Sequence, residues 1–200
     1  MTAPWRSPLA RNLYQHRSEP QARFLQLATI GTNGYPANRT VVFRGFLDRC
    51  GSTHPAGNLL KFVTDARSQK IDQIEHNSKC EACWYFPKTR EQFRIAGILI
   101  SIGHAYRDPG MQAARSAAWQ ELSDLARLQF AWPAPGQLRA EDPHAFSPHP
   151  PHTMTPLDNF CLLLLEPVQV DRLELRGSPQ NRWLYTLDAA QDWSVQAINP

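Results

Sequence analysis

The stretch Phe62-Val63-Thr64-Asp65-Ala66-Arg67-Ser68-Gln69-Lys70 brings two hydroxyls and two cations close together in the chain. An apolar run ends at Thr64, and a helix-like pattern with Ile71 and Ile74 on one face follows it. A helix start offers unpaired backbone N–H groups and the positive end of the helix dipole. Thr64 and Ser68 would add hydroxyl donors, while Arg67 and Lys70 would add charge. An arginine can grip a phosphate through two parallel bonds. Together these residue types could hold a phosphate monoester dianion. They could equally form a surface helix N-capped by Asp65 with solvated charges.

A second stretch, Asn38-Arg39-Thr40-Val41-Val42-Phe43-Arg44-Gly45, brackets an apolar strand with two arginines. Simple alternation places Arg39 and Arg44 on opposite faces. A ligand shared by both requires a bulge, which Gly45 permits. In a third, Glu91-Gln92-Phe93, the Gln92 amide opens a core-bound strand. Such an amide both donates and accepts, as the polar edge of a heteroaromatic ring requires.

Other candidates carry less. Cys80 and Cys83 have the spacing of half a zinc site, but no second Cys-x-x-Cys follows. On a strand, positions three apart face opposite ways, so the two thiols do not pair. His144, His149 and His152 lie in a Pro-rich stretch where spacing dictates no metal geometry. Phe130 and Trp132 could shield a ring or simply pack. No metal site is expected.

These residues need elements to position them. Trp5 to Arg17 reads as a helix closed by Pro20. Arg23 to Ile30 and Asn38 to Leu47 read as strands joined through Asn33-Gly34, a strong hairpin signal. Leu59 to Thr64 is a third strand and Ala66 to His76 a helix. Cys80 to Phe86 and Gln92 to Ile102 are the next strands. Met111 to Phe130 is helical, with Ala114, Ala118, Leu122 and Leu125 on one face. The stretch 132–156 is crowded with Pro and His and reads as a long loop, a lid or a disordered segment. Phe160 to Val170, Trp183 to Leu187 and Trp193 to Ile198 supply further strands. Many strands with a few inserted helices indicate an α+β, mainly β, barrel.

The 200 residues, 42% of them hydrophobic, suffice for one sizeable core. The net charge of +3 permits an anionic ligand, and the 21 Lys and Arg are too scattered for a nucleic-acid track. No run approaches the roughly 20 apolar residues of a membrane span. Met1 to Ala10 lacks a secretory apolar region. The expectation is a cytoplasmic protein whose four cysteines, Cys50, Cys80, Cys83 and Cys161, are reduced.

In this order and at these spacings the segments resemble the pyridoxamine 5'-phosphate oxidase-like superfamily of FMN-binding split barrels. Within it the likeness is greatest to the oxidase-related flavoproteins of cyanobacteria and plants. It runs from about Phe24 to the C-terminus and is weakest between Ala134 and Leu157. The family's Arg-x-Val-x-x-Lys strand matches Arg39 to Arg44, with Arg for the final Lys. Its Tyr-Thr-x-x-Ser-Arg-Lys segment matches Val63 to Lys70, with Val63 for Tyr and Gln69 for Arg, and Arg67 as a replacement guanidinium. Its Arg-Gln-Val strand matches Glu91-Gln92-Phe93. Its closing pattern matches Arg182-Trp183-Leu184-Tyr185, Trp193 and Ile198-Asn199-Pro200.

The resemblance implies one split-barrel domain over 1–200, with 159–200 completing the barrel and a dimer interface. It implies a homodimer with an FMN site at each side of that interface. Arg39, Thr40, Val41, Val42, Arg44, Val63, Thr64, Arg67, Ser68, Gln69 and Lys70 would come from one subunit, and Gln92 and Arg182 from the other. Arg115, Trp119 and Arg127 could face the flavin. An FMN-dependent oxidoreductase follows, with an unknown small-molecule substrate. The family's substrate-holding Arg-x-His has no counterpart in Gly177-Ser178-Pro179-Gln180-Asn181. A non-catalytic flavin carrier or sensor is therefore the alternative, and haem or a deazaflavin a weaker one.

Overall fold

Alternating apolar residues build a nine-stranded antiparallel sheet in the computed structural model, which describes residues 2–47 and 57–200. Cys50 lies outside the described residues. The strands are β1 (Phe24–Ile30), β2 (Pro36–Val42), β3 (Phe46–Leu47), β4 (Leu59–Asp65), β5 (Lys79–Phe86), β6 (Glu91–Ile102), β7 (Phe160–Glu174), β8 (Asn181–Leu187) and β9 (Trp193–Ile198). The spatial order is β2-β1-β5-β6-β7-β4-β3, with β8 paired to β7 and β9 to β8. Among the described residues four α-helices accompany them: α1 (Arg6–Gln15), α2 (Gln69–His76), α3 (Pro109–Gln120) and α4 (Asp124–Leu128).

The strand expected over Asn38 to Leu47 is two strands broken at Phe43-Arg44-Gly45. Gly45 takes φ +105°, a conformation that L side chains rarely adopt. At this break Arg44 N–H donates to the Lys61 carbonyl at 2.9 Å, and Lys61 N–H donates to the Gly45 carbonyl at 2.8 Å. The chain thus passes from one edge of the sheet to β4 near the other, and the sheet curls into a barrel.

β7 divides its pairing along its length. Phe160 to Leu165 pair with β4, whereas Gln169 to Glu174 pair with β8. Opposite the changeover, the β6–β7 register shifts between Ala96 and Gly97. A Cβ on Gly97 would stand 2.2 Å from the Glu166 carbonyl oxygen, so this close approach requires glycine. Cys161, Leu163 and Leu165 enter the barrel core with Trp84, Phe86 and Phe93. Phe160, Leu162 and Leu164 point outward into a second cluster with Trp119, Met111 and Leu122 of the α3 region. Burial on both faces explains why this strand reads as a continuous apolar run.

Two helices differ from expectation. α2 begins at Gln69 with Ser68 at the N-cap position, because the Asp65 carboxylate is taken up by Arg67. The helix expected over Met111 to Phe130 breaks after Gln120 and restarts at Asp124, where the Ser123 side chain accepts from Ala126 N–H. That break turns Leu125 off the apolar face into solvent. No helix among the described residues is long and apolar enough to cross a membrane.

Candidate functional site

A cavity of about 580 Å³ opens where β2, β4, α2 and the loop after α4 converge. β2 and the break after it contribute Arg39, Thr40, Val41, Val42 and Arg44. β4 contributes Val63, Thr64 and Asp65, and α2 contributes Lys70. Arg39 and Arg44 reach the same space because the break at Gly45 interrupts the alternation that would separate them.

At its polar end Lys70 Nζ donates to Thr64 Oγ1 at 2.6 Å and lies 3.5 Å from Ser68 Oγ. The two hydroxyls are 3.4 Å apart. Burial lowers the Lys70 pKa, and the nearby positive charge of Arg39 lowers it further. No carboxylate stands within ion-pair distance of Lys70 among the described residues. Arg39 is held rigidly: it donates to Thr29 Oγ1 at 2.6 Å, the Leu27 carbonyl at 3.1 Å and Gln73 Oε1 at 2.7 Å. Burial lowers the Arg44 pKa, and its Nε is buried with no hydrogen-bond partner among the described residues. A charged donor left so is costly unless a ligand accepts from it.

Arg67, expected as a phosphate ligand, is exposed and turned to another task. Its Nε and Nη2 donate to the two Asp65 carboxylate oxygens at 2.9 and 2.6 Å. Nη2 also reaches the carbonyls of Trp132 at 3.1 Å and Phe130 at 3.3 Å. Burial pushes the Asp65 carboxyl up, but the bonds from Arg67 and Asn159 outweigh it and hold the pKa down. This clamp fastens the root of the loop 132–140 over the cavity. The loop, with Phe146, forms a wall that the chemistry-bearing motifs did not reveal. Phe130 and Trp132 both line the cavity. Gln69 is exposed on the first turn of α2 and, like Ser68 and Arg67, does not line it.

Arg115, Trp119 and Arg127 do not face the cavity either. Arg115 donates to the carbonyls of Phe160 and Leu157, and Arg127 to those of Trp119 and Leu122. These side chains satisfy carbonyls behind the α3–β7 layer, a role that composition does not distinguish from ligand binding. Trp119 donates to the His152 carbonyl at 2.9 Å and so holds the far end of the Pro-rich loop.

Gln92 and Arg182 sit in one cross-strand row, each opposite Leu173. They ride on the half of β7 that pairs with β8, whereas the cradle lies at the half paired with β4. Arg182 is bound to Asp171 at 2.6 and 3.0 Å. Neither lines the cavity. Cys80, Cys83 and Cys161 are free thiols, with burial pushing Cys80 up to about 12 and Cys161 up to about 11.

The half-buried ammonium between two hydroxyls, the Arg44 Nε with no partner among the described residues and a cavity within the roughly 300–1,000 Å³ usual for cofactor sites suit a phosphate-bearing cofactor. Fold and cradle together are those of a split barrel able to hold a phosphate-bearing cofactor. Residues 2–103 match the family model "Pyridoxamine 5'-phosphate oxidase, FMN-binding domain", and the chain belongs to this family, whose cofactor is FMN. It is 34% identical to pyridoxine/pyridoxamine 5'-phosphate oxidase 2 of Arabidopsis thaliana over 99% of this chain and 98% of that protein. It resembles the crystal structure of a pyridoxamine 5'-phosphate oxidase-related, FMN binding protein of Nostoc punctiforme, with 56% identity, a TM-score of 0.93 and full coverage of both chains. PhzG of Burkholderia lata, 18% identical with a TM-score of 0.76 over 100% of this chain and 94% of that one, shares the fold.

Proposed function

We propose that this protein is an FMN-dependent oxidoreductase related to pyridoxamine 5'-phosphate oxidase, acting on a small molecule as a homodimer in the cytoplasm. The observation that carries the reading is the Lys70–Thr64–Ser68 cradle beside Arg39, at one end of a cavity large enough for a cofactor. Lys70 and Thr64, which line the cavity, would hold the FMN phosphate, Ser68 Oγ would support them from 3.4 and 3.5 Å away outside the lining, and Arg39 would add charge from its rigid mount. Val41, Val42 and Val63 offer apolar surface to the ring, and Thr40 and Arg44 offer donors. Bound FMN supplies electron transfer to and from the substrate. The loop 132–140 would exclude water from that step.

The dimer reading is supported by Gln92 and Arg182. Both match the family's flavin-site positions, yet they ride on the far half of β7 from the cradle. A second chain would bring its own Gln92 and Arg182 to the cavity of the first. The free thiols fit a reducing compartment.

A second reading, a non-catalytic flavin carrier or sensor, is favoured by Gly177 to Asn181, which contains neither Arg nor His. Purified protein is expected to be yellow, to release flavin on denaturation and to elute as a dimer in light scattering. A colourless preparation that fails to bind added FMN would overturn both readings. Production of hydrogen peroxide with pyridoxamine or pyridoxine 5'-phosphate separates them. A bound flavin that stays oxidised after anaerobic addition of either compound favours the carrier.

A further inference from the structure

Arg39 is gripped by two residues that lie outside the cavity lining and that no motif pointed to. Thr29, on β1, is buried, and Gln73 sits on α2 one turn after Lys70. Arg39 Nη1 donates to Thr29 Oγ1 at 2.6 Å, and Arg39 Nη2 donates to Gln73 Oε1 at 2.7 Å. Thr29 Oγ1 donates in turn to the same Gln73 oxygen at 2.7 Å. The three side chains thus close a ring of hydrogen bonds.

Every role in this ring is fixed. A guanidinium has no acceptor, so the Gln73 atom that faces Arg39 is the oxygen and not the nitrogen. Thr29 has one hydroxyl hydrogen, and it goes to Gln73 because the Ala37 carbonyl is farther, at 3.5 Å. Leu27 takes a further N–H of Arg39. A guanidinium has five N–H donors, so these three bonds leave two for a ligand.

Holding Arg39 there is costly without an anion. Burial disfavours charge on both Arg39 and Lys70, and the two cations repel one another. A long cationic side chain ordinarily relaxes by turning its head to water. The ring prevents that, and it ties Arg39 to the helix that carries Lys70. A phosphate dianion between the two cations would relieve the repulsion, whereas a neutral ligand would not.

We infer that Thr29 and Gln73 are positioning residues, which hold Arg39 beside Lys70 so that the cavity selects a phosphorylated flavin over the unphosphorylated one. This rests on the reading of the cavity as the flavin site. Neither residue lines the cavity, so both act through Arg39.

The test is fluorescence titration of the flavin-free full chain with FMN and with riboflavin, which lacks the phosphate. Gln73→Met and Thr29→Val nearly keep side-chain size and remove the bonds to Arg39. Each should weaken FMN binding by about five-fold or more, the scale of one hydrogen bond, and leave riboflavin binding unchanged. Thr29→Ser keeps the hydroxyl and should bind FMN as the wild type does. In an Arg39→Ala background neither Gln73→Met nor Thr29→Val should weaken FMN binding further. Gln73 is half-buried on a helix, so its variant carries the test alone if Thr29→Val does not fold. No loss of FMN affinity, the same loss in the Arg39→Ala background, or an equal loss for riboflavin overturns the inference. Failure of the wild type to bind FMN defeats the flavin reading itself, whereas normal FMN binding with any of those three results defeats this inference alone.

Discussion

Lys70 Nζ stands 2.6 Å from Thr64 Oγ1, one residue on the first turn of a helix and the other near the end of the strand before it. The bond spans the strand–helix junction and holds an ammonium in place before any anion arrives. Lys70→Met should therefore weaken FMN binding by about ten- to a hundred-fold, the loss of a charged hydrogen bond worth about 1.5–3 kcal/mol. Thr64→Val should cost less, about five-fold. Fluorescence titration of flavin-free protein measures both, and equal affinities in all three proteins would remove the pair from the site.

The lowered Lys70 pKa predicts a pH profile. A phosphate monoester becomes a dianion as pH rises through about 6, so FMN affinity should rise there. Affinity should fall again as pH passes the Lys70 pKa, which lies below the ordinary lysine range. In flavin-free protein the linkage has the opposite sense on the alkaline side. The unfolded chain binds more protons between the lowered folded pKa and the ordinary value, so this group's contribution to stability rises with pH across that window. Lys70→Met should lose the alkaline limb in binding and this slope in thermal melts.

Arg67 bridges Asp65 and the carbonyls of Phe130 and Trp132. Arg67→Ala should release the loop root. Hydrogen exchange across 130–140 should speed up while the exchange of β6 and β7 is unchanged. Because Arg67 does not line the cavity, FMN affinity should move far less than in Lys70→Met. A loss of FMN binding equal to that of Lys70→Met would return Arg67 to the phosphate site.

Gly97→Ala puts a methyl group where the Glu166 carbonyl already sits. The strands must part, at a cost of about 1–3 kcal/mol. A melting temperature several degrees lower is expected by calorimetry, and an unchanged one would mean that the backbone yields freely there.

Much of the fold was legible because strand alternation and the Asn33–Gly34 hairpin are local signals. The meeting of Thr64, Ser68 and Lys70 was legible as well, because the three are close in sequence across one strand–helix junction. What escaped was non-local. Arg67 could not be told from a phosphate ligand, because its use on Trp132 and Phe130 depends on a loop more than sixty residues away in sequence. Arg115 and Arg127 carry the same charge as a ligand arginine, and their service to backbone carbonyls is visible only once α3 packs on β7. The meeting of Arg39 and Arg44 turned on the conformation of Gly45, which alternation alone could not predict.

The close approach at Gly97 also bears on how β7 finds its alignment. Phe160 to Leu165 bury side chains on both faces, so sliding the strand by one residue would exchange one apolar set for another. Burial alone barely resists such a slip. The Glu166 carbonyl fits only against a residue without a Cβ, and both neighbours of Gly97, Ala96 and Ile98, carry one. Gly97 thus acts as the notch that admits one alignment and rejects its nearest competitors. Because Thr64 pairs with Cys161 on that same strand, a single missing methyl group at Gly97 also sets where the proposed phosphate site sits in the finished barrel.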